Sequence, residues 1–485
     1  MADRLSPLDA SFLYLEEPTT AMHVGSVMIF DPGPDGLDYA RLVRHVEARI
    51  AFVPRYRQRV RGVPGRLANP VWVDDETFDI ADHIRRAALP RPGNDEQLEE
   101  LVARIQARRL DRSRPLWELA VVDGLAGGRF AVITKVHQAL VDGVNAVDLG
   151  QVVLDDDETV REHPPQTWRP APEPSLVELV TGAVVDSVRR PTRVLETLRA
   201  GLSDMQATAT KTAEAVGGLA VAARTATRPP QRSPLNRDLT EHRRYRMVSS
   251  DLADYRTIRN RMLARAAKTA PARNGRAPRT AVVTTVNDVV LAVVAGALRM
   301  WLLARGEPVP PASVVRALVP MSVRVEDAAR SGAIGSRVSS LLIDLPTGEP
   351  SPLMRLHQVS YQTKAHQEAG QAVDAQAIAD IAGFAPPTLH SLGARVASGL
   401  SRHMFNLVVT NVPGPQTPLY LDVSRMLATH PVIPLARGQA LSIGLTSYDG
   451  GVYYGLYGDR EAMPDLDVLG QCLLDSLAET SDAAR

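Results

Sequence analysis

One short run in the chain combines reactive residue types with a spacing that would hold them in place: His137-Gln138-Ala139-Leu140-Val141-Asp142-Gly143. Imidazole, with an unperturbed pKa near ~6.5, is the side chain that exchanges protons around neutral pH. The Asp-Gly pair that follows carries turn chemistry, and its glycine is open to backbone angles closed to residues with a Cβ. A histidine at such a place suits general acid or base work, because a rigid element fixes the ring while the loop leaves room for substrate.

The elements that must position this run flank it on both sides. Phe130–Val136 is β-branched and apolar, with Thr134 and Lys135 its only polar members, and reads as a strand. Ala146, Leu149 and Val153 fall at helical spacing and read as a short amphipathic helix. Trp117–Val122 is a second strand, forming with Phe130–Val136 a hairpin-like pair around Gly124–Gly128. Upstream, Ser6-Pro7 opens a helix with an N-cap and a proline at N1, Met22–Phe30 is a strand, and Leu37–Ile50 is a helix. Arg55, Arg57, Arg59 and Arg61 alternate, which predicts one positive strand face able to meet phosphates, or a solvated edge strand. Glu96–Leu110 reads as a charged helix.

Composition narrows the function classes. The 485 residues carry 55 Lys+Arg against 55 Asp+Glu, so the formal charge is zero and nucleic acid is disfavoured as a partner. The length favours two domains. A single cysteine, Cys472, excludes an internal disulfide framework, and no Cys/His cluster suggests a metal. No serine sits in a Gly-x-Ser-x-Gly frame, and no glycine-rich dinucleotide loop follows a strand. Met1–Leu15 lacks a secretory signal, and Val289–Leu298, stopped by Arg299, is too short to cross a bilayer. A cytoplasmic protein, or one held at the face of a membrane or lipid body, is expected.

After Leu154 the character changes. An acidic run, Asp155–Glu158, precedes five prolines within His163–Pro174, a density that predicts no packed element. Helices follow with apolar faces at Leu176, Leu179, Val180 and at Val194, Leu195, Leu198, Leu202, then alanine-rich Ala207–Ala226. This helical connection is expected either to pack on the second domain or to lie on lipid as an interfacial arm. Beyond Leu235, strands are expected at Arg243–Val248, Ala281–Val286, Val314–Val319, Val338–Leu345, Phe405–Thr410, Gln439–Thr446 and Val452–Tyr457. Helices are expected from Asn287 to about Ala304 and over Pro352–Glu368, with a small-residue helical region over Ala372–Leu400. Thr285 and Asp288 form a T-x-x-D capping box, and Ala267–Thr280 reads as a basic loop.

Several patches, in order along nearly the whole chain, together resemble the bacterial wax ester synthase/acyl-CoA:diacylglycerol acyltransferase family, in its mycobacterial triacylglycerol synthase type. They are Leu5–Phe12 with Met22-His23-Val24-Gly25, Arg114-Pro115-Leu116-Trp117, His137–Gly143, and Asn287-Asp288. They continue with Leu318–Arg324, Gly335–Ser339, Thr410–Pro415 and Gly438-Gln439. The resemblance implies an α/β fold of two chloramphenicol acetyltransferase-like domains with mixed sheets and a helical crossover. Domain bounds are expected at 1–154, 155–233 and 234–485. An active-site tunnel would pass between the halves, with acyl-CoA as co-substrate rather than cofactor and a lipid alcohol as acceptor.

The family's motif is HHxxxDG, whose second histidine is normally assigned as the base; here Gln138 stands in that place. His137, matching the first, is then expected to take the alcohol's proton, with Gln138 donating to the oxyanion or orienting the site. Asp142 is expected to support the loop, and Gly143 to supply its turn. Asn287 is a candidate acceptor contact, with helix capping the plainer explanation. Asn411 would reach the domain interface or form a turn. Ser322 and Arg324 are candidate coenzyme A contacts, and Trp117 is expected in the core. The expected reaction moves a long-chain acyl group to diacylglycerol. A long-chain alcohol acceptor giving wax esters, or an inactive lipid-binding or lipid-body protein, are the alternatives.

Overall fold

The computed structural model describes residues 3–33, 36–141, 149–159, 168–189, 231, 233–269, 284–323, 337–368, 373–374 and 404–485. In chain order the first half holds β1 (Asp3–Arg4), α1 (Pro7–Leu15), β2 (His23–Asp31), α2 (Tyr39–Ile50), β3 (Gln58–Arg61), β4 (Val71–Asp74) and β5 (Ile84–Ala88). It continues with α3 (Asp95–Ala107), β6 (Trp117–Asp123), β7 (Phe130–His137), α4 (Gln138–Val141), α5 (Leu149–Val153) and α6 (Leu176–Arg189). The second half holds β8 (Arg243–Asp251), α7 (Leu252–Thr269), α8 (Val286–Ala304), β9 (Val315–Val323), β10 (Arg337–Leu345), α9 (Pro352–Glu368) and β11 (Val373–Asp374). It ends with β12 (Leu407–Pro413), β13 (Tyr420–Leu421), β14 (Ser424–Val432), β15 (Leu441–Tyr448), β16 (Gly451–Asp459) and α10 (Leu466–Ala483).

These strands form two large mixed sheets and a small one. The first sheet runs β13-β14-β2-β7-β6-β5, the second β11-β10-β9-β12-β15-β16-β8, and the third β1-β4-β3. In the first, β5 and β6 are parallel and the other pairs antiparallel; in the second, β12 runs parallel to both β9 and β15. Every residue of β7 is buried. Its even-numbered members Phe130, Val132 and Val136 enter one core with Leu42, Val46 and Ile50 of α2. Ala131 and Ile133 face the other way, toward Leu98 and Val102 of α3. Two covered faces explain why the strand reads as a nearly continuous apolar run.

The two halves are interlocked. β13 and β14 lie between 420 and 432, yet they extend the first sheet: β14 pairs with β2 from Arg425↔Asp31 to Val432↔Gly25. Leu421 and Met426 fill the first core. From β8 of the second sheet, the Tyr245 hydroxyl donates to Pro431 O at 3.0 Å and sits 3.2 Å from His430 O. In return α3 of the first half docks on β8, where Glu99 accepts the Met247 N–H at 2.8 Å and faces Arg246 at 3.2 Å.

The predicted capping box forms. Thr285 Oγ1 accepts the Asp288 N–H at 3.1 Å and Asp288 returns the bond at 2.8 Å, so α8 starts at Val286. Val286 therefore begins a helix and does not end a strand, because the box closes the turn there; 281–283 lie outside the described residues. α8 spans 19 residues, long and apolar enough by length and composition to cross a membrane, which corrects the expectation that it is too short. Its apolar side chains are spent on protein: residues Asp288 to Leu298 are all buried. Gly296 permits a close helix crossing, since a Cβ there would stand 2.2 Å from Ser476 Oγ of α10.

Other expectations change. Arg55 and Arg57 lie in a 3₁₀ turn, Pro54–Arg57, so the four arginines share no strand face. Arg55 pairs with Asp3, Arg57 stacks on Trp168 at 5.0 Å, and Arg59 and Arg61 both pair with Glu173 at 2.7 and 2.9 Å. The proline-rich segment has neither helix nor strand over 168–175, yet it is tied down by those contacts and by Ala171 N–H donating to Asp74 at 2.9 Å. Asp155, the first residue of the acidic run, is buried and pairs with Arg49 of α2. In α6, Leu179 packs on Val71 and Val73 of β4, so this end of the helical connection covers the first half, not the second. Val373–Asp374 is a strand on β10 where a helix was expected. The rest of the small-residue region, the faces beyond Arg189, Ala207–Ala226 and most of the basic loop lie outside the described residues.

Candidate active site

His137 ends the central strand, held by backbone bonds on both sides. Its N–H donates to Leu116 O at 3.0 Å, and the next N–H, of Gln138, donates to Met22 O at 2.9 Å. β2 therefore places His23 directly opposite His137, and the two rings meet edge to face with centroids 5.7 Å apart. Gly25, two residues on, has no Cβ to block Gln106, whose side-chain amide donates to Thr134 O at 2.8 Å. Lys135, on the same strand face as His137, is buried and closes the end of α3, donating to Ile105 O at 3.0 Å and to Arg108 O. Burial lowers its amine to about 8.

The C-terminal end of α1 brings a third group. Glu16 Oε1 lies 3.1 Å from His23 Nε2 and 3.9 Å from His137 Nε2. Its other oxygen accepts two bonds from Arg112, at 2.6 Å from Nη2 and 3.1 Å from Nε, and Nη2 also donates to Leu13 O at 2.7 Å. Two groups approach His23 Nε2, the Glu16 carboxylate and, at 3.4 Å, the Leu110 N–H. Burial pushes the Glu16 carboxyl up, but His23, His137 and Arg112 outweigh it and the carboxyl falls to about 2. Both histidines are themselves lowered, first by burial, so Arg112 is the lasting positive partner of Glu16 at neutral pH.

The His137 ring has a defined tautomer. The Ala139 N–H donates to Nδ1 at 3.1 Å, so Nδ1 is the lone-pair nitrogen and the proton of the neutral ring is on Nε2. That Nε2 is buried with no hydrogen-bond partner, because 3.9 Å to Glu16 is too long for one. Burial, then the neighbouring His23, lowers His137 to about 3. The ring is thus neutral, enclosed and aimed at a carboxylate. Gln138, by contrast, is half-buried at the first position of α4.

Asn287 and Asn411, separate candidates in the sequence, come together: Asn411 Nδ2 donates to Asn287 Oδ1 at 3.0 Å, joining the start of α8 to β12. Asp288 is not free for chemistry, since it caps α8 and accepts the Thr363 hydroxyl at 2.7 Å. Ser322 lies in β9, and its side chain, like Asp142, Gly143 and Arg324 altogether, is outside the described residues. Trp117 is core, as expected, with its indole N–H donating to Tyr56 O at 2.8 Å. Local reading missed Glu16 and Arg112. The one available signal was an acid at the end of an apolar helix, which says nothing about its partner.

Comparison with known proteins bears on the family and the fold. Residues 5–265 match the wax ester synthase/diacylglycerol acyltransferase catalytic domain, and residues 334–481 the WS/DGAT C-terminal domain. A probable diacylglycerol O-acyltransferase of Mycobacterium tuberculosis, tgs2, is 33% identical, covering 99% of each chain. Another, tgs3, is 42% identical over 54% of this chain and 97% of its own length. Among solved structures, a wax ester synthase/diacylglycerol acyltransferase from Marinobacter aquaeolei VT8 superposes with a TM-score of 0.65 at 28% identity, covering 99% of each chain. A condensation domain of the CDA synthetase superposes with a TM-score of 0.52 at 15% identity, covering 100% of this chain and 97% of its own, which bears on the fold alone.

Proposed function

The chain belongs to the wax ester synthase/diacylglycerol acyltransferase family, and from that premise we propose that it moves a long-chain acyl group from acyl-CoA to the free hydroxyl of a diacylglycerol, giving triacylglycerol. The observation that carries this is the match over 99% of both chains to a relative named for that reaction. In the net step a carbon–oxygen bond forms as the carbon–sulfur bond breaks, and the hydroxyl proton ends on the coenzyme A sulfur. Two lipid-tailed substrates must be held in line, and such positioning supplies many kcal/mol of rate by itself.

His137 serves this reaction as a positioning residue. To accept a proton at Nε2 it would first have to move its own proton to Nδ1 and give up the Ala139 bond. Glu16, His23 and Arg112 hold it from below, and the half-buried Gln138 is the member of the motif that meets substrate, through an amide able to donate to the oxyanion. The tunnel between the halves, with Asn287 and Asn411 on the acceptor side and Ser322 and Arg324 toward coenzyme A, belongs to the same proposal. So does contact with a lipid surface, for which the start of α6 offers Leu176 and Val177, 57% and 71% exposed.

A second reading has one observation behind it: a glutamine replaces the histidine normally assigned as base, as it would in a slow enzyme or a lipid-binding protein. Labelled acyl-CoA incubated with diacylglycerol, and in parallel with hexadecanol, tests all of these. Triacylglycerol as the main product supports the proposal, wax ester shifts the acceptor, and no turnover of either leaves lipid binding.

A further inference from the structure

The Arg114–Trp117 patch has no part in the proposed chemistry, yet it walls a cavity of about 150 Å³ together with His83, Leu110, Asp111 and Glu118. His83 precedes β5 and is 3% exposed. Trp117 and Phe78 stack on its ring, with centroids 4.5 and 5.2 Å away. Nδ1 lies 2.8 Å from Trp117 O, and a carbonyl only accepts, so Nδ1 carries the proton and Nε2 the lone pair. With both faces and Nδ1 covered, the edge bearing Nε2 is the part of the ring that lines the cavity. Among the described residues Nε2 has no hydrogen-bond partner. This is the reverse of His137, whose lone pair is taken and whose N–H is enclosed.

From this geometry we infer that the cavity is a binding site for a small neutral alcohol or phenol, whose hydroxyl donates to His83 Nε2 while its carbon skeleton lies toward Leu110 and Pro115. The charges at the rim are already matched, Arg114 with Asp82 and Arg85 with Glu118 at 3.5 Å. Asp111 accepts both the Ser113 N–H and its hydroxyl, at 2.9 and 2.7 Å. The remaining excess of one carboxylate repels anions, and a lone-pair nitrogen rejects ethers and esters, which only accept. Burial keeps the His83 ring below its usual pKa, which preserves the acceptor at neutral pH. A cavity of this size takes a skeleton of about six to eight heavy atoms, the scale at which benzene fits. The hydroxyl can come from a free small alcohol or from the polar end of a lipid. The inference does not rest on the acyltransferase reading.

The test uses the full chain labelled with ¹⁵N-histidine, titrated with phenol and with fluorobenzene, which has the same shape and no donor. Phenol is expected to move the His83 Nε2 resonance and to bind at least about tenfold more tightly than fluorobenzene, the worth of one hydrogen bond to a buried acceptor. His83→Phe keeps the stack and should lose the preference for phenol. If that variant does not fold, the comparison of the two ligands on the native chain still decides. A diolein micelle that moves the same resonance identifies the lipid as the source of the hydroxyl; a response to phenol and not to diolein identifies free alcohols. No response of His83 to phenol, or equal affinity for the two ligands, overturns the inference.

Discussion

The backbone N–H of Ala139 donates to Nδ1 of His137 at 3.1 Å, and this one bond determines which ring nitrogen carries the proton. With Nε2–H turned toward Glu16 and the ring lowered to about 3, His137 is neutral across the physiological range and has no lone pair to offer a substrate. On the reading proposed above, the residue that the sequence presents as the natural base is part of the support beneath the site.

The first prediction separates these roles. Between pH 6 and 8 the kcat of the native chain should show no rising limb from His137, because burial lowers that ring to about 3. Gln138→His should raise kcat by about 10²-fold, the low end of what a placed base contributes, and should introduce a limb near the ordinary histidine pKa. A limb already present in the native chain and abolished by His137→Gln would make His137 the base after all.

Stability should depend on pH through the same buried rings. His137 is lowered to about 3 and His430, buried against Tyr454 O, to about 4, both mainly by burial. A histidine depressed in the folded state binds fewer protons there than in the unfolded chain. Its contribution is therefore complete above the unfolded pKa near ~6.5 and is lost as pH falls through that value toward the folded one. Urea midpoints should drop between pH 7.5 and 4.5, by up to ~1.4 kcal/mol per pH unit for each such ring. His137→Phe should flatten the curve. Glu16, lowered to about 2, adds its loss only below the ordinary carboxyl range. A midpoint unchanged over that interval would show that these rings are not buried neutral.

The amide pair of Asn287 and Asn411 should behave as one unit. Either alanine substitution leaves a half-buried amide without its partner and should cost about 1 kcal/mol, with the double variant costing less than the sum. Both single variants should raise KM for the acceptor more than they lower kcat. Additive stabilities together with an unchanged KM would reduce the pair to an accident of packing.

The halves should not fold apart. β14 covers an edge of β2, and Leu421, Met426 and Tyr448 complete the first core, so residues 1–233 alone lack part of their own sheet. Expressed by itself, this piece should show weak amide protection in β2 and β7, restored by adding 234–485. Native-like protection of the isolated piece would contradict the interlocked architecture.

Local signals were legible where the physics is local. The Thr285–Asp288 box and the N-cap at Ser6 depend on neighbours within a few residues, and both form in the structure. α10 carries Leu466, Leu469, Leu473 and Leu477 at helical spacing, so its signal was equally available. β14 was not legible. Its register slips between Met426 and Ala428, which breaks the alternation, and its partner strand lies about 400 residues earlier. The site divides the same way. His137 stands out at the end of an apolar strand, whereas its partners Glu16 and Arg112 are 96 residues apart and meet only because the end of α1 lies against the Arg112 loop. Nothing in the run His137–Gly143 shows which way the imidazole turns; the Ala139 bond does.

The most direct measurement is product formation by the full-length native chain from labelled palmitoyl-CoA and diolein, with Gln138→His assayed beside it. The account predicts triacylglycerol from the native chain, slowly, and about 10²-fold faster from the variant. No triacylglycerol from either protein, while both remain folded, would contradict it.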